Sequence, residues 1–212
     1  MKTHALVTTL AGLSRILRPE ISVAECARDL SQPLMDAWAS ASLGETQVQC
    51  AFDDRVTLSQ LTEGIPDAAA SELALDDIEV LTHTFAGLTR CDQIRARLTV
   101  SDEQSKVVRP SPRFHVDHVG VRLEVAYLGH PCEWLPEDAV RWAVLRRMEQ
   151  GEPFGGSDVL YNLLVASRPW SVHRPSTGDV LVMKGNRASA RGGVHRSPRW
   201  DGRRVLLMLD AA

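Results

Sequence analysis

The hydrophobic periodicity of this chain changes near Ile94, and this change limits the folds that its 212 residues can adopt. Before it, apolar residues recur at steps of three and four within 21–43 and 74–89, which predicts amphipathic helices. After it, short stretches of alternating apolar and polar residues are separated by turn residues, which predicts β-strands. A helical front followed by a run of short strands is typical of an α+β fold whose strands form a sandwich or barrel.

One domain is predicted for residues 1–212, because a chain of this length can bury one substantial core. Residues 1–93 are predicted to form a mainly helical N-terminal region. Residues 94–212 are predicted to form the strand-rich core, with a helical insertion at about 136–149.

Turn residues and caps predict where individual elements begin and end. Pro33 is predicted to break the first helical stretch, and Asp67 or Ser71 to cap the second. The strands predicted after the change of period are 94–100, 106–109, 114–119, 121–128, 159–166, 178–184 and 203–210.

Composition and charge exclude several classes of partner. The formal net charge of -3 at pH 7 argues against nucleic acid, which requires a concentrated basic surface. No run approaches the roughly 20 apolar residues of a membrane span, and Arg15 and Arg18 interrupt the N-terminal apolar stretch before a signal-peptide core forms. The cysteines are widely spaced and are predicted to be reduced thiols. We therefore expect a cytoplasmic protein that binds neither nucleic acid nor membrane.

The segment Arg113-Phe114-His115-Val116-Asp117 is the main candidate for a functional site. Side chains two residues apart in a strand point to the same face, so His115 and Asp117 are predicted to bind one metal ion. His195, just before the last predicted strand, is the candidate third ligand. Two histidines and one carboxylate, with other coordination positions open, suit a non-haem Fe(II) oxygenase. The same ligands also suit Zn(II) with an open fourth position.

At these residues the sequence resembles the Fe(II)- and 2-oxoglutarate-dependent oxygenases. Their pattern is H-x-D, then a distal histidine, then an arginine on the last strand of a double-stranded β-helix. The resemblance implies that the three candidate ligands are the catalytic metal site. It also implies that Arg204 binds the far carboxylate of 2-oxoglutarate, for which a guanidinium fork is well suited, and that Tyr127 or Lys184 makes a second polar contact with this co-substrate.

A closer resemblance, over about residues 105–210, is to a bacterial family known as domain of unknown function 1826. Its motifs are similar to Arg113–Asp117, Glu133-Trp134-Leu135, Gly178-Asp179-Val180 and His195-Arg196-Ser197-Pro198. That family has no settled activity, and some members are associated with responses to zinc limitation.

Together these features predict an α+β protein with a double-stranded β-helix (jelly-roll, cupin-like) core. Its predicted function is Fe(II)- and 2-oxoglutarate-dependent hydroxylation of a C–H bond in an unknown small-molecule or peptide substrate. One alternative is a zinc- or other metal-binding protein on the same barrel, which serves metal homeostasis without redox turnover. A third interpretation is an interaction domain in which the H-x-D triplet is incidental.

Overall fold

The computed structural model describes residues 3–102, 111–150, 155–198 and 202–212. It confirms the predicted α+β class. The strands are β1 (His4–Val7), β2 (Val23–Cys26), β3 (Gly44–Ala51), β4 (Gln93–Ser101), β5 (Val121–Leu128), β6 (Glu133–Leu135), β7 (Val180–Lys184), β8 (Val194–Arg196) and β9 (Arg204–Ala211). The α-helices are α1 (Gln32–Ser40), α2 (Arg55–Leu58), α3 (Ala68–Thr89), α4 (Trp142–Glu149) and α5 (Asp158–Val165).

The strands form one large and one small sheet. The large sheet has seven strands in the order β1-β2-β7-β5-β9-β4-β3, and its neighbouring strands are antiparallel except for β1 and β2. The small sheet consists of β6 and β8. Trp134 of β6 packs against Leu181 and Met183 of β7, so the small sheet lies against one face of the large sheet.

The opposite face of the large sheet carries the main hydrophobic core. Tyr127 of β5 stacks on Trp38 of α1 with 4.8 Å between ring centroids, and Phe85 of α3 is buried in the same cluster. Full burial of a large apolar side chain contributes roughly 1.5–3 kcal/mol. In the part of the chain that the structure describes, no helix has both the length and the apolar character needed to cross a membrane.

Helix α3 contains the predicted helix 74–89 and begins earlier, at Ala68. Asp67 is its cap, because one carboxylate oxygen accepts a hydrogen bond from the Ala70 amide at 2.8 Å. The apolar residues that share one helix face, Leu75, Ile78, Leu81, Phe85 and Leu88, are buried. The apolar period of 3.6 residues therefore predicted this helix correctly.

The N-terminal region is less separate from the strand core than the sequence predicts. It supplies β1 and β2 beside β7 at one edge of the large sheet, and β3 beside β4 at the other. The prediction of helix over 21–43 is wrong for Val23–Cys26, which is a strand. Pro33 lies in the first turn of α1 rather than breaking a helix, because proline has no amide hydrogen to lose there.

Two predicted strands are wrong in the later half of the chain, and one lies outside the described residues. Residues 159–166 form most of helix α5, capped by the Ser157 hydroxyl, which accepts from the Leu160 amide at 3.3 Å. Residues 114–119 contain only one isolated bridge, at His115. The segment 106–109 is not described. The predicted insertion consists of a 3-10 turn at Glu137–Ala139 followed by α4.

The other predicted strands are confirmed. Residues 94–100, 121–128, 178–184 and 203–210 correspond to β4, β5, β7 and β9. These four strands are adjacent in the order β7-β5-β9-β4, and they form the centre of the large sheet.

Candidate metal centre

The backbones of His115 and His195 form an antiparallel pair that sets the distance between their side chains. The His115 amide donates to the His195 carbonyl at 2.9 Å, and the His195 amide donates to the His115 carbonyl at 3.0 Å. Residues directly opposite in such a pair project to the same face. The imidazole centroids are therefore only 4.5 Å apart.

Asp117 completes a compact group of three possible ligands. Its Oδ1 lies 3.6 Å from His115 Nε2, and its Oδ2 lies 3.2 Å from His195 Nε2. The three ligand atoms all lie within 4.8 Å of one another. The structure thus brings together the three residues that the sequence selects.

The other nitrogen of each imidazole shows that this group fits a metal ion. His115 Nδ1 lies 2.8 Å from the Arg113 carbonyl, and His195 Nδ1 lies 3.1 Å from the Gly193 carbonyl. A carbonyl can only accept, so each Nδ1 carries a hydrogen and Nε2 is the nitrogen that faces Asp117. Nε2 donates to the carboxylate while the imidazole is protonated, and it offers a lone pair to a divalent cation once that proton has left.

The electrostatics keep the carboxylate ionised. Burial raises the pKa of Asp117, but hydrogen bonds with both histidines and the charge of Arg122 outweigh it and hold that pKa far below its usual range. Burial lowers the pKa of His195, whereas its hydrogen bond with Asp117 raises it, and the net direction is upward. A deprotonated carboxylate is the form that binds metal.

Arg122 of β5 links Asp117 to the large sheet. Its Nη1 donates to Asp117 Oδ2 at 2.7 Å. Its Nε and Nη2 donate to the two oxygens of Asp210 on β9 at 2.8 and 2.7 Å. Arg122 and Asp210 together hold Oδ2 of Asp117 in place. The sequence analysis did not predict these roles of Arg122 and Asp210. Strand alternation could have indicated Arg122, because it puts this residue on the face opposite the core residue Leu123.

The turn after β7 holds the backbone of the loop that carries Asp117. The Asn186 amide donates to the Asp117 carbonyl at 2.9 Å, and the Gly185 amide donates to the Gly120 carbonyl at 2.7 Å. A Cβ at Gly185 would lie 2.2 Å from the Val119 carbonyl oxygen and 2.7 Å from that of Asp117. Only glycine allows this close backbone approach.

Gly185→Ala is therefore expected to disturb the metal centre as well as the fold. The added methyl group pushes the loop of Asp117 away, which should reduce the free energy of unfolding by about 2 kcal/mol and the affinity for Mn(II) by about ten-fold. Urea unfolding and calorimetric titration measure these changes.

The control is Gly87→Ala in α3, where a Cβ has nothing within 4 Å and alanine should stabilise the helix by roughly 0.5–1 kcal/mol. Equal effects of the two variants would contradict the role of Gly185.

A cavity of about 260 Å³ opens beside the three candidate ligands, between the large and small sheets. Leu206 and Met208 of β9 form its apolar floor. Its other walls are Glu45, Arg97, Thr99, Ser111, Arg122, Glu124, Cys132 and Ser197.

Arg204 lies behind one wall of this cavity and is fully buried. Its Nη1 donates to Ser197 Oγ at 3.0 Å, and its Nη2 lies 3.7 Å from Cys132 Sγ. Ser197 and Cys132 both line the cavity. The predicted co-substrate arginine is therefore close to the cavity that contains the candidate ligands.

The structure does not bring Tyr127 or Lys184 to the cavity. The Tyr127 hydroxyl donates to Asp77 Oδ2 at 2.7 Å in the main core. Lys184 Nζ donates to the Arg18 carbonyl at 2.7 Å, and Lys184 is not among the residues that line the cavity. Strand alternation explains both positions. Tyr127 shares the strand face of the core residue Val125, and Lys184 shares that of the core residue Val182.

The sequence from residue 8 to residue 210 matches the family described as "Protein of unknown function (DUF1826)". The chain belongs to this family. The resemblance seen in the sequence motifs is therefore confirmed, and it covers the N-terminal region as well as the strand core. No curated protein matches the sequence.

Solved structures similar to this member of the family include three oxygenases. Dioxygenase for auxin oxidation 1 from Arabidopsis thaliana, in its 2-oxoglutarate complex, is 8% identical, with a TM-score of 0.53 over 100% of this chain and 92% of that chain. The rice dioxygenase for auxin oxidation is 9% identical, with a TM-score of 0.47 over 100% and 83%. A Pseudomonas putida prolyl-4-hydroxylase is 12% identical, with a TM-score of 0.47 over 96% and 98%. The first of these likenesses shows a shared fold.

Proposed function

We propose that this protein is a non-haem Fe(II)- and 2-oxoglutarate-dependent oxygenase that hydroxylates a C–H bond of a small molecule. The observation that carries the proposal is the convergence of His115 Nε2, His195 Nε2 and the Asp117 carboxylate within 4.8 Å, beside a cavity. Two imidazoles and one carboxylate are the ligand set of this class of enzyme.

The double-stranded β-helix is part of the same proposal. A cavity enclosed between a large antiparallel sheet and a smaller facing sheet is typical of jelly-roll proteins. The Arabidopsis dioxygenase, whose fold is similar, was solved with 2-oxoglutarate, and this supports the same co-substrate here.

The proposed ligands would hold Fe(II) from one side and leave the remaining positions facing the cavity. Fe(II) and 2-oxoglutarate supply oxidative decarboxylation of the 2-oxo acid coupled to oxidation of a C–H bond by O2. Arg122 keeps the Asp117 carboxylate ionised and oriented. Leu206 and Met208 exclude water from the cavity floor.

Arg204 is the proposed anchor for the far carboxylate of 2-oxoglutarate. Its guanidinium is buried and shares the Ser197 hydroxyl with the cavity wall. A buried arginine binds a carboxylate more strongly than an exposed one, because water screens the charges less.

The test is an anaerobic titration of metal-free protein with Fe(II) and then with 2-oxoglutarate. Bidentate chelation by a 2-oxo acid should produce a visible charge-transfer band. Arg204→Lys keeps the charge but loses the guanidinium fork, so it should weaken 2-oxoglutarate binding by about ten-fold or more. Ser197→Ala should weaken it less. Arg15→Lys, at an exposed position, is the control and should bind like wild type.

Tight Zn(II) binding without any response to 2-oxoglutarate would contradict this proposal. It would support the second candidate function, a zinc-binding protein that serves metal homeostasis without redox turnover. The same three ligands favour that candidate, since they also suit Zn(II) with one open position.

A further inference from the structure

Glu124 is a buried acid in the cavity that the proposed metal chemistry does not use. It lies on β5 two residues after Arg122, and the residue is 2% exposed. Its Oε1 makes no hydrogen bond to any described residue. Burial and the nearby Glu124 charge raise the pKa of the Cys132 thiol, which therefore stays protonated and is only a weak donor. Glu124 thus lacks a strong partner.

Arg97 is a cation in the same cavity that also lacks a strong partner. Its Nη2 lies 3.3 Å from Met208 Sδ, and a thioether is only a weak acceptor. Within the described ranges, Arg97 forms no ion pair with a carboxylate.

The strand register places Arg97 and Glu124 on either side of Met208. Met208 of β9 is the partner of Arg97 on β4 and of Glu124 on β5. Adjacent strands lie about 4.8 Å apart, so the two backbones are about 10 Å apart with both side chains on the cavity face. We call these three residues the Arg97–Met208–Glu124 subsite.

The other charged groups of the cavity wall are already accounted for. Arg122 is paired with Asp117 and Asp210. Glu45 is exposed at the rim and accepts from Thr99 Oγ1 at 3.4 Å. Among the described lining residues, Glu124 and Arg97 therefore remain without an ion pair. Glu124 is buried, and a buried charge is stable only when it is paired, whereas Arg97 is partly exposed.

We propose that the substrate is a free amino acid, whose ammonium group binds Glu124 and whose carboxylate binds Arg97. This inference rests on the proposed oxygenase function. An ammonium group supplies the N–H donor that Glu124 Oε1 lacks, whereas a quaternary ammonium supplies none. A residue inside a peptide carries neither charge, so the subsite fits a free amino acid rather than a peptide.

The experiment uses the full chain with Fe(II) and 2-oxoglutarate and tests each proteinogenic L-amino acid in turn. Succinate formation measures turnover, and calorimetry measures binding. We expect at least one amino acid to increase succinate formation by about ten-fold or more. Its N-acetyl and carboxamide derivatives, which each remove one charge, should bind at least about ten-fold more weakly.

Variants of the subsite then assign the two contacts. Glu124→Gln and Arg97→Lys should each raise the amino-acid concentration required by about ten-fold or more, while the visible band with 2-oxoglutarate remains. Glu63→Gln, which removes an exposed charge, should behave like wild type.

The outcomes separate this inference from the oxygenase proposal. If the band forms but no amino acid binds or stimulates turnover, the subsite assignment is wrong and the oxygenase proposal stands. Loss of the band in Glu124→Gln would assign Glu124 to the co-substrate and overturn the inference. If no band forms in wild type, the oxygenase proposal fails, and calorimetry with the metal-loaded protein still decides whether amino acids bind.

Discussion

His195→Ala is expected to lower the affinity for Mn(II) by about 100- to 1,000-fold and to abolish turnover. Structural Zn(II) sites bind with roughly 10–16 kcal/mol over about four ligands, which is several kcal/mol per ligand, and we expect the loss of one of three ligands for Mn(II) to cost a comparable amount. His195 is buried and its Nε2 lies 3.2 Å from Asp117 Oδ2. Calorimetric titration of the metal-free variant measures the loss.

The control for this prediction is His173→Ala. His173 is also partly buried and stacks on Trp134 with 4.0 Å between ring centroids, but it is not among the three candidate ligands. It should retain the wild-type affinity. Wild-type affinity in His195→Ala would exclude His195 as a ligand and with it the proposed metal centre.

Arg122→Met is expected to reduce the free energy of unfolding of the metal-free protein by about 3–5 kcal/mol, because it leaves Asp210 without its cation and Asp117 with only the two imidazoles as partners. Asp117 and Asp210 are each less than one-fifth exposed, at 17% and 14%. Urea unfolding at neutral pH measures the change. Adding Asp117→Asn and Asp210→Asn to Arg122→Met removes the unpaired charges and should restore most of the loss.

The same prediction has a defined pH dependence. The pKa of Asp117 is lowered in the folded protein, so its stabilising contribution is present above the unfolded pKa of about 3.9 and is lost as the pH falls below it. The difference between wild type and Arg122→Met should therefore be smaller at pH 3 than at pH 7. A difference that does not change with pH would show that Arg122 stabilises the fold through packing and not through charge.

The three candidate ligands could be predicted from the sequence, but the strand geometry that was used to predict them is not what holds Asp117 in place. The spacing of His115 and Asp117 indicated a shared face, as in a strand. Asp117 is in fact held by backbone bonds to the turn after β7. That turn is remote in sequence, and local periodicity carries no information about it.

Strand alternation within β5 indicates which of its side chains share a face, and the resemblance made no use of this. Val125 and Tyr127 share one face, and Arg122 and Glu124 share the other. Alternation alone cannot tell which face meets the core and which meets a cavity, because helices packed on the far side decide this. The resemblance assigned Tyr127, on the core face, to the co-substrate. Arg122 and Glu124, which line the cavity from the other face, were not selected.

The errors in secondary structure have a common physical cause. The short strand β2 is buried between two neighbouring strands, so it shows no alternation to distinguish it from a helix. The apolar run of α5 fits a buried strand equally well, yet several of its leucines are exposed. In both cases tertiary contacts override the local pattern.

The backbone pairing of His115 with His195 has a consequence for metal exchange at the proposed centre. In small zinc domains the ion gathers its ligands and so drives folding. Here the entropy of bringing the imidazoles together is spent when the chain folds. In the proposed metal centre, loading and release of the ion would therefore be exchange at a preformed site, and the fold would persist without the ion.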